Sequence, residues 1–432
     1  MSILSSMYAA AAGLGAHGNA IGVVSDNIAN VDTIGFKASR GRFEDVLGST
    51  VASGLLANVP GQGSRLAGVD AMFRQGALLS TGVATDLAIE GNGFFMVRGD
   101  FQGVDGSFFT RDGQFHLDAN GHLVNPHGLD VQGYLADAQG NLGAALTDVI
   151  IPPTANVPPR ATTRTDIVVN LDAASVIPPA FDPLNPSTTS NFSSSVTVYD
   201  SLGAAHNVDV YFRQAAPGSW EWHALVDGGE LTGGTAGVAT EIANGTLTYT
   251  TDGRLDTEAI GASTADFIGA TPGQVITFDF GDAITTDGGT GMLGSTAYAA
   301  PSTLTALTQD GYASGSLAGI TVAEDGRVTG AFTNGERRLL GQVALATFRN
   351  QNGLLRAGAG MYVSSDASGQ ALVGSAGSGG RGNISAGSLE QSTVDLAQEF
   401  VNLIAYQRGF QANSKAVRTA DDMLSELVSM TR

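Results

Sequence analysis

The chain has no cysteine in its 432 residues, which excludes disulfides, thiolate metal sites and thiol catalysis together. Positive charge is scarce. Lys and Arg number 21 against 41 Asp and Glu, a formal net charge of −20, and a surface of that sign disfavours nucleic acid as a partner. No Lys or Arg precedes Lys37, and the small-residue run over 8–16 makes a poor apolar core for a Sec leader. Any export is therefore expected to proceed by another route, without a cleaved signal peptide. No stretch approaches the roughly 20 apolar residues that span a bilayer, so no membrane insertion is expected. Trp220 and Trp222 are the only tryptophans, and no carboxylate pair is placed near them for work on a glycan.

The motifs of common catalysts are missing too. There is no G-x-S-x-G, no H-E-x-x-H and no P-loop. Gly91-Asn92-Gly93 is not continued into a dinucleotide fingerprint and reads as a tight turn into a buried strand. His116, His122 and His127 are spaced six and five apart, which places them on different strands with no evident carboxylate pair, so they read as solvated. Turns such as Asp112-Gly113 and Asp325-Gly326 fit no calcium loop. The expectation is a chain with no enzyme activity, no cofactor and no metal site.

What is present is a sharp contrast between ends and middle. Ile3, Met7, Ala10, Leu14, His17, Ile21, Val24, Ile28 and Val31 alternate at spacings of four and three, a heptad seam with one polar member. His17 in that seam reads as a satisfied packing residue rather than a pH switch. At the other end Leu389, Leu396, Leu403, Phe410, Val417 and Leu424 recur every seven residues, with Phe400, Leu427 and Val428 widening the stripe. A helix from Leu389 to Met430 would be roughly 60 Å long, overshooting a single domain of this size, so its stripe needs a partner beyond the globular body. The N-terminal helix, at roughly 40 Å, is the candidate. It carries Gly13, Gly15, Gly18 and Gly22, each costing about 1 kcal/mol against Ala, so both ends are expected to order when copies pack together.

The middle reads as β. The chain's 59 glycines favour turns, and short runs such as Gly93–Val97, Ser107–Thr110, Ser195–Tyr199, Asn207–Phe212 and Gln342–Phe348 are bounded by hairpin signals. Prolines 152, 153, 158 and 159 mark a boundary, and a Gly/Ser-rich stretch over 374–382 reads as a linker to the last helix. The fold class is thus mixed: terminal α-helices forming a coiled-coil-like core, with mainly-β outer domains inserted between them. The expected divisions are a helical polymerisation domain (1–34 and 385–432) and a connecting segment (35–72 and 372–384). Outside these come a discontinuous β-domain (73–150 and 301–371) and an outer inserted β-domain (151–300). The polymerisation interface is predicted to use Ile3, Met7, Leu14, Ile21, Val24 and Ile28 with Leu389, Leu396, Phe400, Leu403, Phe410, Val417 and Leu424.

Specific local sequence lies on these elements. Asn27, Asn30, Thr33, Gly35, Phe36 and Lys37 form the pattern N-x-x-N-x-x-T-x-G-F-K, a helix that ends and turns sharply at Gly35. Gly76, Thr81, Gly82, Asp86, Gly91, Gly93, Phe94 and Phe95 mark a second stretch, followed by Phe109-Thr110-Arg111-Asp112-Gly113. Gln407, Gln411 and Asn413 mark the last helix. Together these resemble, in order, the signatures of the bacterial flagellar rod and hook family over roughly the first 135 and last 45 residues. Asp26 and Asp32 depart slightly from it. Within that family the long insertion and the run Val198-Tyr199-Asp200-Ser201-Leu202-Gly203 imply a hook subunit, the distal rod subunit being the alternative. The resemblance implies self-assembly into a flexible curved tube that carries motor torque from rod to filament. It also implies export by the flagellar type III apparatus, and contacts with distal rod, hook cap and hook–filament junction proteins. A reading of a different class, an extracellular β-rich adhesin or tail-like protein, would have no need of the two heptad ends.

Overall fold

The computed structural model describes residues 3–46, 62–152 and 156–430, and the side chains of Ile3, Leu4 and Leu427 lie outside the description. The chain is mostly β, with one long helix at each end. By internal contact it divides into two units. The first comprises 1–153, 319–331 and 337–432, the second 154–318 and 332–336.

In the first unit the N-terminal helix runs Ile3–Ala29 and the C-terminal helix Leu396–Met430. The latter begins seven residues later than the heptad count suggests. Asp395 accepts hydrogen bonds from the backbone N–H groups of Ala397 and Gln398 and so caps its first turn. Leu389 is instead a strand residue, 5% exposed and paired with Leu79. A buried apolar strand residue mimics the first member of a heptad when only spacing is read.

The main sheet of the first unit is built around a hairpin. The hairpin Phe94–Phe101 and Val104–Thr110 pairs in antiparallel register from Phe95↔Thr110 to Phe101↔Val104. Arg337–Thr347 joins it through Leu345↔Phe95 and also pairs with Asp130–Leu135. Phe94, Phe109, Phe348 and Tyr362 fill the core beneath, their rings mostly edge-on. The Gly/Ser-rich stretch read as a linker is in fact paired at both ends. Leu372–Ser375 joins Arg337–Thr347, and Asn383–Ala386 joins Leu87–Glu90. Its glycines serve turns between strands (Gly377, Gly379 and Gly380 all at positive φ) rather than a flexible tether.

The second unit is a six-stranded antiparallel meander over a three-stranded sheet. The meander runs Phe192–Tyr199, Ala205–Ala216, Ser219–Asp227, Ala239–Tyr249, Leu255–Ala265 and Gln274–Val275 in chain order. In the smaller sheet Arg164–Asn170 lies between Thr277–Asp279 and Thr303–Gln309. Residues 303–309, assigned from sequence to the discontinuous β-domain, thus belong to this unit because they complete its sheet. Alternation through Ala205–Ala216 and over the first six residues of Ser219–Asp227 turns Val208, Val210, Phe212, Trp220, Trp222 and Ala224 inward. Both tryptophans are 0% exposed, so neither offers a face on which a sugar could stack.

Candidate functional site

The two helical ends lie against each other in a single copy of the chain, and small residues let them. Gly13 faces Asn413 so closely that an added Cβ would stand 2.8 Å from the amide nitrogen, and a Cβ on Gly409 would stand 2.7 Å from the His17 ring. One glycine in each helix, though it weakens that helix as an isolated segment, is therefore what admits the partner. The buried face of the N-terminal helix is Ala10, Gly13, Ala16, Ala20, Val24 and Asn27. The predicted seam lies one residue round from it. Val24 is buried, but Met7, Leu14, Ile21 and Ile28 are only half-buried, and the side chain of Ile3 lies outside the described residues. His17 sits among Phe43 and Tyr406 with ring centroids 6.0 and 6.1 Å away, and its Nδ1 is buried without a hydrogen-bond partner.

On the C-terminal helix the predicted stripe wanders. Leu396 is 40% and Phe410 41% exposed, whereas Leu403, Val417 and Leu424 are half-buried and Ala420 is buried. A straight α-helix drifts by about 20° per heptad relative to a seven-residue repeat, so a stripe of that period does not stay on the contact with the first helix. An apolar band is exposed on the early turns: Leu396, Phe400, Val401 and Ile404 are 40%, 50%, 60% and 50% exposed. Gln407 and Gln411 are also exposed, and Asn413 donates to the Gly409 carbonyl at 3.0 Å.

Beneath the helices the signature residues converge. Asn27, 0% exposed, exchanges two 2.8 Å hydrogen bonds with the backbone of Ser39 and donates to Glu399 Oε1 at 3.1 Å, joining both helices to the strand Ser39–Asp45. Asn30 donates back to the Asp26 carbonyl and accepts from Thr33 Oγ1, winding up the helix end. Gly35 then adopts φ +68°, where a Cβ would stand 2.6 Å from the Arg111 backbone. Phe36 lies under the Arg356 guanidinium, 5.4 Å from it.

Lys37 enters the interior. Its Nζ donates to Glu390 Oε1 and to the Arg74 carbonyl, both at 2.6 Å. Arg111 donates to Glu390 Oε2 at 3.2 Å and to the Gly91 carbonyl at 2.7 Å, and packs over the Phe94 ring. The Gly76 N–H adds a third donor to the same carboxylate, and the Gly35 N–H binds the Glu390 carbonyl. Burial pushes both cations below their ordinary pKa, and the charge of Glu390 opposes that shift. The second stretch is braced alongside. Thr81 and Gly82 donate to the Gly387 carbonyl, and Gly91 donates to Gln75. The Asp86 carbonyl accepts from Ser388, and Gly93 at φ +136° leads into buried Phe94 and Phe95. Glu390, the centre of this junction, escaped sequence reading because it was counted into the last helix.

These positions match known domains. The family described as Flagella basal body rod protein matches residues 7–37, and Flagellar hook protein FlgE/F/G D1 domain matches 88–173. Flagellar basal body protein FlaE D2 domain matches 170–312, and Flagellar basal body rod FlgEFG protein C-terminal matches 385–430. Flagellar hook protein FlgE of Treponema pallidum is 33% identical over 469 residues, covering 100% of both chains. The protein of the same name from Escherichia coli is 34% identical and covers 98% of each.

The chain belongs to the flagellar hook protein family.

In fold it is similar to the crystal structure of the Helicobacter pylori flagellar hook protein FlgE2, with a TM-score of 0.51 at 15% identity, over 72% of this chain and 100% of that one. No catalytic family is among these matches. No helix among the described residues is long and apolar enough to cross a membrane.

Proposed function

We propose that this chain is the structural subunit of the bacterial flagellar hook and polymerises through its helical ends. The exposed band Leu396, Phe400, Val401 and Ile404 carries the reading, because it lies on a helix whose opposite face is already occupied. A contact between this band and a different surface of the next copy is heterologous, and a heterologous contact that does not close builds an open helical polymer. The half-buried seam of Met7, Leu14, Ile21 and Ile28 flanks the paired helices and supplies such a surface. The helices then form a coiled-coil-like inner layer of a curved tube that transmits torque, with the two β regions outside it. Distal rod, hook cap and hook–filament junction proteins are the neighbours at its ends, and the type III export apparatus delivers the chain to the extracellular hook.

Electron microscopy of the purified chain under salting-out conditions tests this. Tubes are expected from the unaltered chain and none from a Phe400→Ser, Ile404→Ser variant whose circular dichroism and melting are unchanged. Persistent monomers of the unaltered chain, or tubes from the variant, would overturn it.

A further inference from the structure

Chain order hides a donor set that folding assembles around one of the three neighbouring histidines. His122 immediately precedes the strand Leu123–Val124, Asp130 opens Asp130–Leu135, and Asp148 ends Thr147–Asp148. Val124 pairs with Asp130 and Asp148 pairs with Gln132, so the three segments run side by side. One ligand atom from each of His122, Asp130 and Asp148 lies within 4.8 Å of the others, all three residues being half-buried. His122 Nδ1 is 2.9 Å from Asp130 Oδ1. Gln132, 2% exposed, donates to Asp148 Oδ1 at 2.5 Å and to the Asp130 carbonyl at 3.1 Å, which fixes the direction of the second carboxylate. Among the described residues neither aspartate is paired with a Lys or Arg, and the ion pair of Asp130 is with His122 alone. His116 and His127 take no part in this group.

We propose that His122, Asp130 and Asp148 bind a divalent transition cation of the zinc class. An imidazole with two carboxylates is a nitrogen–oxygen donor set that suits such an ion, and three protein ligands leave a fourth position for water. Metal–ligand distances near 2.0–2.2 Å place donor atoms roughly 3.3–3.6 Å apart in a tetrahedron, so the 2.9 Å contact of His122 with Asp130 opens slightly, its hydrogen bond giving way to the ion. Magnesium and calcium, which require about six or more oxygens, find too few here. The bound ion cross-links the turn before Leu123 to the strands carrying Asp130 and Asp148. It thereby ties down the segment 147–148, from which the chain soon leaves the first unit. Gln132 is a positioning residue in the layer behind the ligands.

Calorimetric titration of the full chain with zinc chloride, with magnesium chloride as control, tests the site. Zinc is expected to bind one ion per chain and to raise the melting temperature, and magnesium to do neither. His122→Gln and Asp148→Asn are each expected to weaken zinc binding by at least about tenfold, and Gln132→Leu by roughly ten- to a hundredfold. His116→Gln should bind as the unaltered chain does. Should a ligand variant melt early without metal, cobalt titrated into the unaltered chain gives an independent reading, with the visible absorption of a nitrogen–oxygen tetrahedral site expected. No zinc binding at millimolar concentration, no cobalt absorption, or equal loss in His116→Gln would each overturn the assignment.

Discussion

Lys37 Nζ lies 2.6 Å from Glu390 Oε1 across a sequence separation of 353, and their side chains are 1% and 0% exposed. Arg111 reaches the other oxygen of the same carboxylate. One buried anion thus holds two buried cations, and each member is costly to leave without the others.

Replacing Glu390 by Gln leaves Lys37 and Arg111 facing each other out of water. The expected loss is about 3–5 kcal/mol of stability in the first unit. Urea unfolding followed by limited proteolysis measures it, and a loss under 1 kcal/mol would contradict the arrangement.

Gly35→Ala meets two obstacles. The positive φ alone costs an L-residue about 1–2 kcal/mol, and the added methyl overlaps the Arg111 backbone. The variant should unfold at lower denaturant than the unaltered chain, whereas Gly15→Ala, which has open space around it, should not.

Asn27→Ala strips the Ser39 backbone of both partners and Glu399 of its donor. Unsatisfied buried polar groups cost about 1–3 kcal/mol each. Faster hydrogen exchange is expected over 10–27 and 399–420, with the strands of the second unit unaffected. Uniform exchange across the chain would argue against a local role.

Glu258 sets a pH dependence in the second unit. Burial raises its carboxyl to a pKa of about 7, with Asp279 and Asp287 adding to the rise while the Phe280 N–H and Arg164 oppose it. The ordinary value is 4.5, so the folded chain binds this proton more tightly than the unfolded one. Its contribution is therefore present below about 4.5 and lost as pH rises through about 7. Glu258→Gln should raise the melting temperature relative to the unaltered chain at pH 8 and make little difference at pH 4. A gap that widens on acidification would refute the sign.

Helical ends and a β middle were legible because apolar periodicity is a local signal. Alternation in Ala205–Ala216 announces a strand whatever it pairs with. The misreadings all concern what pairs with what. Leu389 fits a heptad by count but pairs with Leu79 in a strand, and the buried face of the first helix is mostly alanine and glycine, which a search for large apolar residues steps past. Thr303–Gln309 looks like the return of the discontinuous β-domain, yet its partner Arg164–Asn170 lies more than a hundred residues earlier. Asp130 and Asp148 meet His122 only through strand register, which spacing along the chain does not reveal.

The division of the chain has a consequence in time. Residues 154–318 carry the core of the second unit almost without interruption, so that unit gathers itself soon after its last strand emerges from the ribosome. The first unit enjoys no such independence: Lys37 and Arg111 wait without a counter-ion until residue 390 appears. Synthesis from the N-terminus therefore finishes the middle of the sequence before its beginning, and a chain stopped short of its last forty-odd residues is left with a completed second unit and an unlocked first one.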